Sequence, residues 1–337
     1  MTPTLPELLA SAHVVRVPLR VRFRGVSERE ALLLHGPAGW GEWSPFVEYP
    51  SAEAARWLSA AIEAAWHGWP EPVRDRIPVN ATVPAVAADE VAGVLARYDG
   101  CAAVKVKVAE RGQSLGDDLA RVAAVRDVVG WRTAEGSAPV SIRVDANGAW
   151  SVDEALGALA RLGRYGLEYA EQPCATVDEL ATLRVRMAKG GIEIPIAADE
   201  SIRKADDPLR VAEAEAADLM VVKVAPLGGV RNAIRIAEQV GLPAVVSSAL
   251  DTSVGIRAGV ALAAALPELP YACGLATVEL LDGDVAAERL VPGGGALPVR
   301  DVAASPDLLE RYAAPPERQQ WWRERLEAAY THLLETD

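Results

Sequence analysis

Residues 102–108 read AAVKVKV. Lys105 and Lys107 are two apart and so share one face of a strand, while Val104, Val106 and Val108 face the other. Valines outside and ammonium groups inside suit a strand in a closed ring, its outer face covered by helices and its inner face opening on a polar mouth. Apolar runs of the same length recur on both sides: IPVNAT (77–82), SIRVDA (141–146), GLEYAE (166–171), IPIAAD (194–199), LMVVKV (219–224), PAVVSS (243–248) and LPYACG (269–274). The stretches 86–98, 118–130, 151–165, 176–190 and 230–241 between them carry a helical apolar period, with Gly or an aromatic near the stop. Eight strands alternating with helices predict a TIM-like barrel. A doubly wound sheet would want a Gly-rich phosphate loop after its first strand, where this chain has VNATVPA; PGGGAL (292–297) follows no strand–helix pattern and reads as a loop.

Before the barrel, AHVVRVPLRVRFR (12–24), EREALLLHG (28–36) and GWGEWSPF (39–46) predict an antiparallel meander. Residues 51–69 predict a helix, with Ser51 as its cap and Glu53 in its first turn. The expected division is an α+β capping domain over 1–76, a barrel over 77–285, and a segment over 286–337 that packs back on both. The 337 residues suit two unequal domains. His35 and His67 lie beside aromatic or apolar residues with no third group to orient them as bases, and read as structural.

Composition narrows the function. The net charge of −13 opposes nucleic acid as a partner. Cys101, Cys174 and Cys273 form no CxxC pair, which fits a reducing setting. The first residues lack a basic leader and apolar core, and the apolar runs are too short or too interrupted to span a bilayer, so a soluble cytoplasmic protein without a membrane partner is expected. Lysine is scarce, five against 29 arginines, and three of the five (Lys105, Lys107 and Lys223) fall on barrel strands.

Strands three, four and five end in Asp145, Glu171 and Asp199, spaced one βα unit apart. Polar groups at successive strand ends are costly to bury unless they share a site. Three carboxylates at one mouth repel one another and call for a hard divalent cation, Mg²⁺, with Mn²⁺ as a substitute. Lys223 ends strand six and faces Lys105 and Lys107 across the mouth. An ammonium crowded by another cation is pushed toward its neutral form, so a lysine here can act as a base on a proton α to a carboxylate.

The ordered motifs VKVKV, DANG, EQP, ADES and VVKVAPLGG resemble the enolase superfamily, in the branch with lysines on the second and sixth barrel strands. That superfamily is the established example of a lysine base working beside Mg²⁺. The resemblance covers essentially the whole chain and implies a modified (β/α)7β barrel with an α+β capping domain. It implies Asp145, Glu171 and Asp199 as metal ligands, Lys107 and Lys223 as catalytic residues, and Lys105 and Asn147 in support. Within the branch, RFRGVSEREALL, GWGEWSPF, PVNATVP and SSALDTSVG are most similar to the short actinobacterial-type o-succinylbenzoate synthases of menaquinone biosynthesis. These carbon–oxygen lyases remove water from a cyclohexadiene dicarboxylate. On that analogy Ser247, Ser248 and Arg24 contact the substrate. By position alone, Glu200, next to a ligand, stands behind the ligands, and Glu168, three residues before Glu171, faces outward; neither reads as catalytic. The rivals are an N-succinylamino acid racemase, an epimerase or cycloisomerase of the same branch, or a catalytically retired scaffold. An acidic pair for a substrate ammonium on strand eight is missing from YACGLATVEL, and no member of the lysine and carboxylate set is lost. Oligomeric state is not specified by these features.

Overall fold

The alternation in residues 12–43 produces the expected meander. The computed structural model describes residues 2–23, 25–130, 139–202 and 207–336. After α1 (Leu5–Ser11), strands β1 (Ala12–Phe23), β2 (Val26–Gly36) and β3 (Gly39–Trp43) pair antiparallel in that order. Helix α2 (Ser51–Ile62) crosses this sheet and widens into a π-turn over Glu63–His67. Ser51 does not cap it: Pro50 holds the cap position and no side chain bonds into the first turn. His35 stacks on Trp40 at 4.5 Å, in keeping with a structural role.

The chain then runs through β4 (Arg76–Pro78), β5 (Asn80–Val83), α3 (Val91–Leu95), β6 (Ala103–Lys107), α4 (Leu115–Val129), β7 (Ser141–Asp145), α5 (Val152–Leu162), β8 (Leu167–Glu171) and α6 (Val177–Lys189). It continues through β9 (Ile196–Ala198), α7 (Asp207–Glu213), β10 (Leu219–Lys223), α8 (Val230–Val240), β11 (Ala244–Ser247) and α9 (Ser253–Ala265), and ends with β12 (Ala296–Pro298), α10 (Pro306–Arg311) and α11 (Pro316–Thr336). Ser114, Ser151 and Thr176 start α4, α5 and α6 with capping boxes, each hydroxyl accepting an N–H three residues on. Strands β5 to β11 form one parallel sheet in sequence order. Their outward valines, isoleucines and leucines join the inward faces of the helices in the main core.

Two of the eight expected strands take a different form. IPVNAT divides at Pro78, which has no N–H to donate; β4 leaves the ring and pairs antiparallel with β12. The run read as a loop at 292–297 therefore delivers its last residues, Ala296 and Leu297, into a strand. The eighth segment makes no continuous ladder. It closes the ring through single bridges, the Cys273 N–H donating to Pro78 O at 2.7 Å and the Gly274 N–H to Val246 O at 2.8 Å. Gly274 permits that approach, since a Cβ there would stand 2.5 Å from Ser247 Oγ.

The apolar run around 259–266 lies in α9, whose Val260, Leu262 and Ala263 are buried in the main core. Among the described residues no helix is long and apolar enough to cross a membrane. Helix α11 returns to the first sheet, where Trp322 meets Trp43 edge-on at 5.4 Å and donates to Glu30 at 2.9 Å.

Candidate active site

The alternation of β6 places Lys105 and Lys107 in the ring while Val104 and Val106 pack outward. Register carries the carboxylates to the same rim. Lys107 stands opposite Asp145, and Asp145 opposite Glu171. Asp199 follows the end of β9 directly. Lys223 ends β10, four strands round from β6, so the two lysine-bearing strands face each other across the ring. Lys105, Lys107, Asp145, Asn147, Lys223, Ser247 and Ser248 line one cavity at this mouth, and Asp199 and Lys223 line a smaller recess beside it.

Lys107 Nζ donates to Asp145 Oδ2 and Asn147 Oδ1, each at 2.6 Å. Lys105 Nζ donates to Glu171 Oε1 at 2.8 Å and lies 3.3 Å from Asp145 Oδ2. Lys223 Nζ donates to Asp199 Oδ2 at 2.5 Å. The carboxylates thus share a rim but are each drawn to an ammonium. No group of three His, Cys, Asp or Glu side chains among the described residues is gathered tightly enough to hold an ion. Three hard oxygen donors on adjacent strand ends nonetheless suit Mg²⁺. The titration of Glu171 points the same way: burial, and then the Asp145 and Asp199 charges, push its carboxyl up to about 7 against the pull of Lys105. The burial and neighbouring negative charge that hold Glu171 back from ionising are what a cation among the three carboxylates would relieve.

Burial, seconded by Lys105, also lowers the Lys107 pKa against the pull of Asp145. The Lys105 pKa is raised, because Glu171 and Asp145 outweigh its burial. Asp145 is held below the ordinary carboxylate range, Lys107 and Lys105 overcoming its burial. Of the two β6 lysines, Lys107 is the one poised to lose a proton.

Several supporting groups come from the loops. Asn147 sits in the left-handed region (φ 48°), where its N–H reaches Asp145 Oδ1 at 3.1 Å and its side-chain amide donates to Glu200 Oε1 at 3.1 Å. Ser248 Oγ donates to Gly274 O at 2.8 Å and lies 2.7 Å from Thr277 Oγ1, while Ser247 Oγ is 3.5 Å from the same carbonyl. Arg24 lies outside the described residues. Four contributors were not picked out from sequence. Gln172 accepts the Asp199 N–H at 2.8 Å and donates to Ser201 Oγ at 2.9 Å, and its place in EQP beside Glu171 was the available signal. Thr277 and Leu250 also line the cavity, and the Phe23 ring lies 5.3 Å from Lys107 Nζ; nothing in their spacing marks them.

Glu168 does not face outward. A bulge between the pairs Ile142–Leu167 and Arg143–Tyr169 breaks the alternation of β8, and Glu168 turns to pair with Arg143. Arg143 is 1% exposed, donates to Ala272 O at 2.6 Å and packs 4.8 Å from the Tyr169 ring, one layer below the carboxylates. Glu168→Ala is expected to lower stability by about 3 kcal/mol, since it strips a buried cation of its counter-charge. Urea denaturation measures this; an unchanged midpoint would mean the pair contributes nothing.

Fold and rim together define a barrel enzyme with a carboxylate trio between opposed lysines. A model of the enolase C-terminal domain-like family matches residues 87–304, and one of the enolase N-terminal domain-like family matches residues 14–65. Among curated relatives, o-succinylbenzoate synthase of Thermobifida fusca is 58% identical over 313 residues, covering 93% of this chain and 94% of the relative. That of Mycolicibacterium smegmatis is 56% identical over 329 residues, covering 97% and 98%. The chain belongs to the enolase superfamily and, within it, to the o-succinylbenzoate synthase family. Muconate lactonizing enzyme from Pseudomonas fluorescens shares the fold with a TM-score of 0.75 at 21% identity, covering 90% of this chain and 98% of that one. N-succinyl Arg/Lys racemase from Bacillus cereus does so with a TM-score of 0.72 at 19% identity, covering 90% and 97%.

Proposed function

We propose that this chain is a Mg²⁺-dependent hydro-lyase that converts 2-succinyl-6-hydroxy-2,4-cyclohexadiene-1-carboxylate to 2-succinylbenzoate in menaquinone biosynthesis. The observation that carries the reading is the pair of opposed lysines, Lys107 on β6 and Lys223 on β10, on one cavity with Asp145, Glu171 and Asp199 on the strands between them. Held by those three carboxylates, Mg²⁺ supplies the concentrated positive charge that offsets the second negative charge developing as the α-proton leaves.

Neutral Lys107 takes the proton α to the ring carboxylate. Its new ammonium then assists departure of the ring hydroxyl on the same face, so the proton and the hydroxyl leave as water and the ring becomes aromatic. Lys223, hydrogen-bonded to Asp199, lies on the opposite face and steadies the enolate electrostatically. Asn147 and Lys105 fix where the Lys107 amine and its carboxylate partners stand. Ser247 and Ser248, at the end of β11, receive the succinyl carboxylate. The chain acts as a cytoplasmic enzyme on a small dicarboxylate.

The same opposed lysines suit a racemase, in which each removes or returns a proton on its own face. The two readings separate in D₂O. The purified protein with Mg²⁺ is expected to form 2-succinylbenzoate from the cyclohexadiene substrate, and to leave the α-hydrogen of an N-succinylamino acid unexchanged. Rapid α-deuteration with no aromatic product would favour racemization.

A further inference from the structure

A cluster of buried charges outside the lysine and carboxylate set joins the first sheet to the turn that follows β11. Arg29, on β2, is 4% exposed, and its guanidinium lies 4.4 Å from the Phe46 ring centroid. Its Nε donates to Leu250 O at 3.0 Å and its Nη2 to Ala249 O at 3.3 Å and to Ser44 O, and Nη2 is 4.0 Å from Asp251. Glu42, on β3, reaches the same turn. Its Oε2 accepts the Thr252 N–H at 3.1 Å, the Thr252 hydroxyl at 2.5 Å and the Gly255 N–H at 3.1 Å, while Oε1 accepts from Ser44 Oγ at 2.9 Å. Asp251 Oδ2 accepts the Ala249 N–H at 3.0 Å.

The turn so held is strained. Leu250 has φ 66°, a conformation that a branched side chain rarely adopts unless its surroundings enforce it. Arg29 bonds the carbonyl of that residue and of the one before it, and Glu42 bonds the N–H groups that follow. The result faces the reaction site: Ser248, Ala249 and Leu250 line the cavity that holds Lys107 and Lys223, and Leu250 packs there with Phe23 and Leu280. Burying a guanidinium and a carboxylate is costly unless each is fully bonded, and here most of the bonds go to one turn, beside a cavity that Glu42 lines together with Lys223, Ser247 and Ser248.

We propose that Arg29 and Glu42 are positioning residues that set the shape of the Ser248–Thr252 turn, so that the first sheet fixes the cavity wall against which the substrate's succinyl arm is held. The inference rests on the dehydratase reading for the identity of the substrate. The hydrogen bonds of Glu42 go to Ser44, Thr252 and Gly255, and Arg29 donates to the carbonyls of Ser44, Ala249 and Leu250, so the effect is expected on binding, with the proton-transfer step left in place.

The test is steady-state dehydration by wild type, Arg29→Met, Arg29→Lys and Glu42→Gln with saturating Mg²⁺, alongside product affinity for 2-succinylbenzoate. Arg29→Met is expected to raise KM and weaken product binding on the order of tenfold, with kcat within about threefold of wild type. Arg29→Lys, which keeps the charge and can reach one carbonyl, and Glu42→Gln, which keeps shape and one acceptor, are expected to fall between. Unchanged KM and product affinity in Arg29→Met and Glu42→Gln, or a loss confined to kcat, would overturn the proposal. So would failure of both conservative variants to fold, because residues that only shape this turn are dispensable for the fold. A wild-type protein that does not turn the substrate over counts against the dehydratase reading instead. In that event an unchanged affinity for 2-succinylbenzoate in Arg29→Met still refutes the positioning role.

Discussion

Lys107→Ala is expected to lower kcat for dehydration by on the order of 10³–10⁴-fold while leaving the thermal midpoint near that of wild type. The size of the effect follows from the double duty proposed for one amine, which removes the α-proton and then returns that proton to the leaving hydroxyl. The mild structural effect follows from placement. Lys107 stands at the mouth with its amine among polar groups, and Asp145 keeps a second ammonium, Lys105, at 3.3 Å when it is lost. Lys107→Arg separates charge from proton transfer. A guanidinium preserves the ion pair with Asp145 but stays protonated, so this variant is expected to be as inactive as the alanine. Turnover within tenfold of wild type by either protein would remove Lys107 from the reaction.

Glu171→Gln carries the other large effect. Glu171 occupies the middle of the trio, opposite Asp145 in register and one strand from the end of β9. Its charge is the one that burial and its neighbours resist, with a pKa pushed up to about 7. Replacing it by a neutral isostere removes a ligand charge without removing volume. Mg²⁺ affinity by calorimetry is expected to fall on the order of a hundredfold or more, with turnover lost in parallel. Mg²⁺ should raise the thermal midpoint of wild type, because an ion bound only by the folded state stabilises it, and should leave the variant unmoved. Equal Mg²⁺ affinity in the two proteins would place the metal elsewhere.

Much of this was legible because burial on two faces writes itself into sequence. AAVKVKV and SIRVDA alternate valine or isoleucine with polar lumen residues, LMVVKV carries Lys223 to the lumen above Leu219 and Val221, and all three form ladders ending at the rim. The carboxylates could be ordered because one βα unit separates each from the next. What escaped notice did so where a local rule was overridden. Parity puts Glu168 on the outer face, and parity fails at a one-residue bulge, beyond which Glu168 pairs with Arg143. IPVNAT reads as one strand until Pro78 interrupts its donors, and its partner, Ala296–Pro298, lies beyond a glycine turn more than 200 residues away. LPYACG closes the ring with isolated bridges, a weaker arrangement than its apolar pattern suggested. Arg29 and Glu42 are hidden for a different reason: they bond to backbone carbonyls and N–H groups of residues 249–255, and a pattern of residue types does not encode backbone donors and acceptors on a distant turn.

The most direct measurement of the central claim is the ultraviolet progress curve of the purified wild-type protein with the cyclohexadiene dicarboxylate, run with Mg²⁺, with EDTA, and with EDTA followed by excess Mg²⁺. Conversion to aromatic 2-succinylbenzoate in the first sample, none in the second and recovery in the third is the expected result. No aromatic product with Mg²⁺ present, or product formed equally well in EDTA, would contradict it.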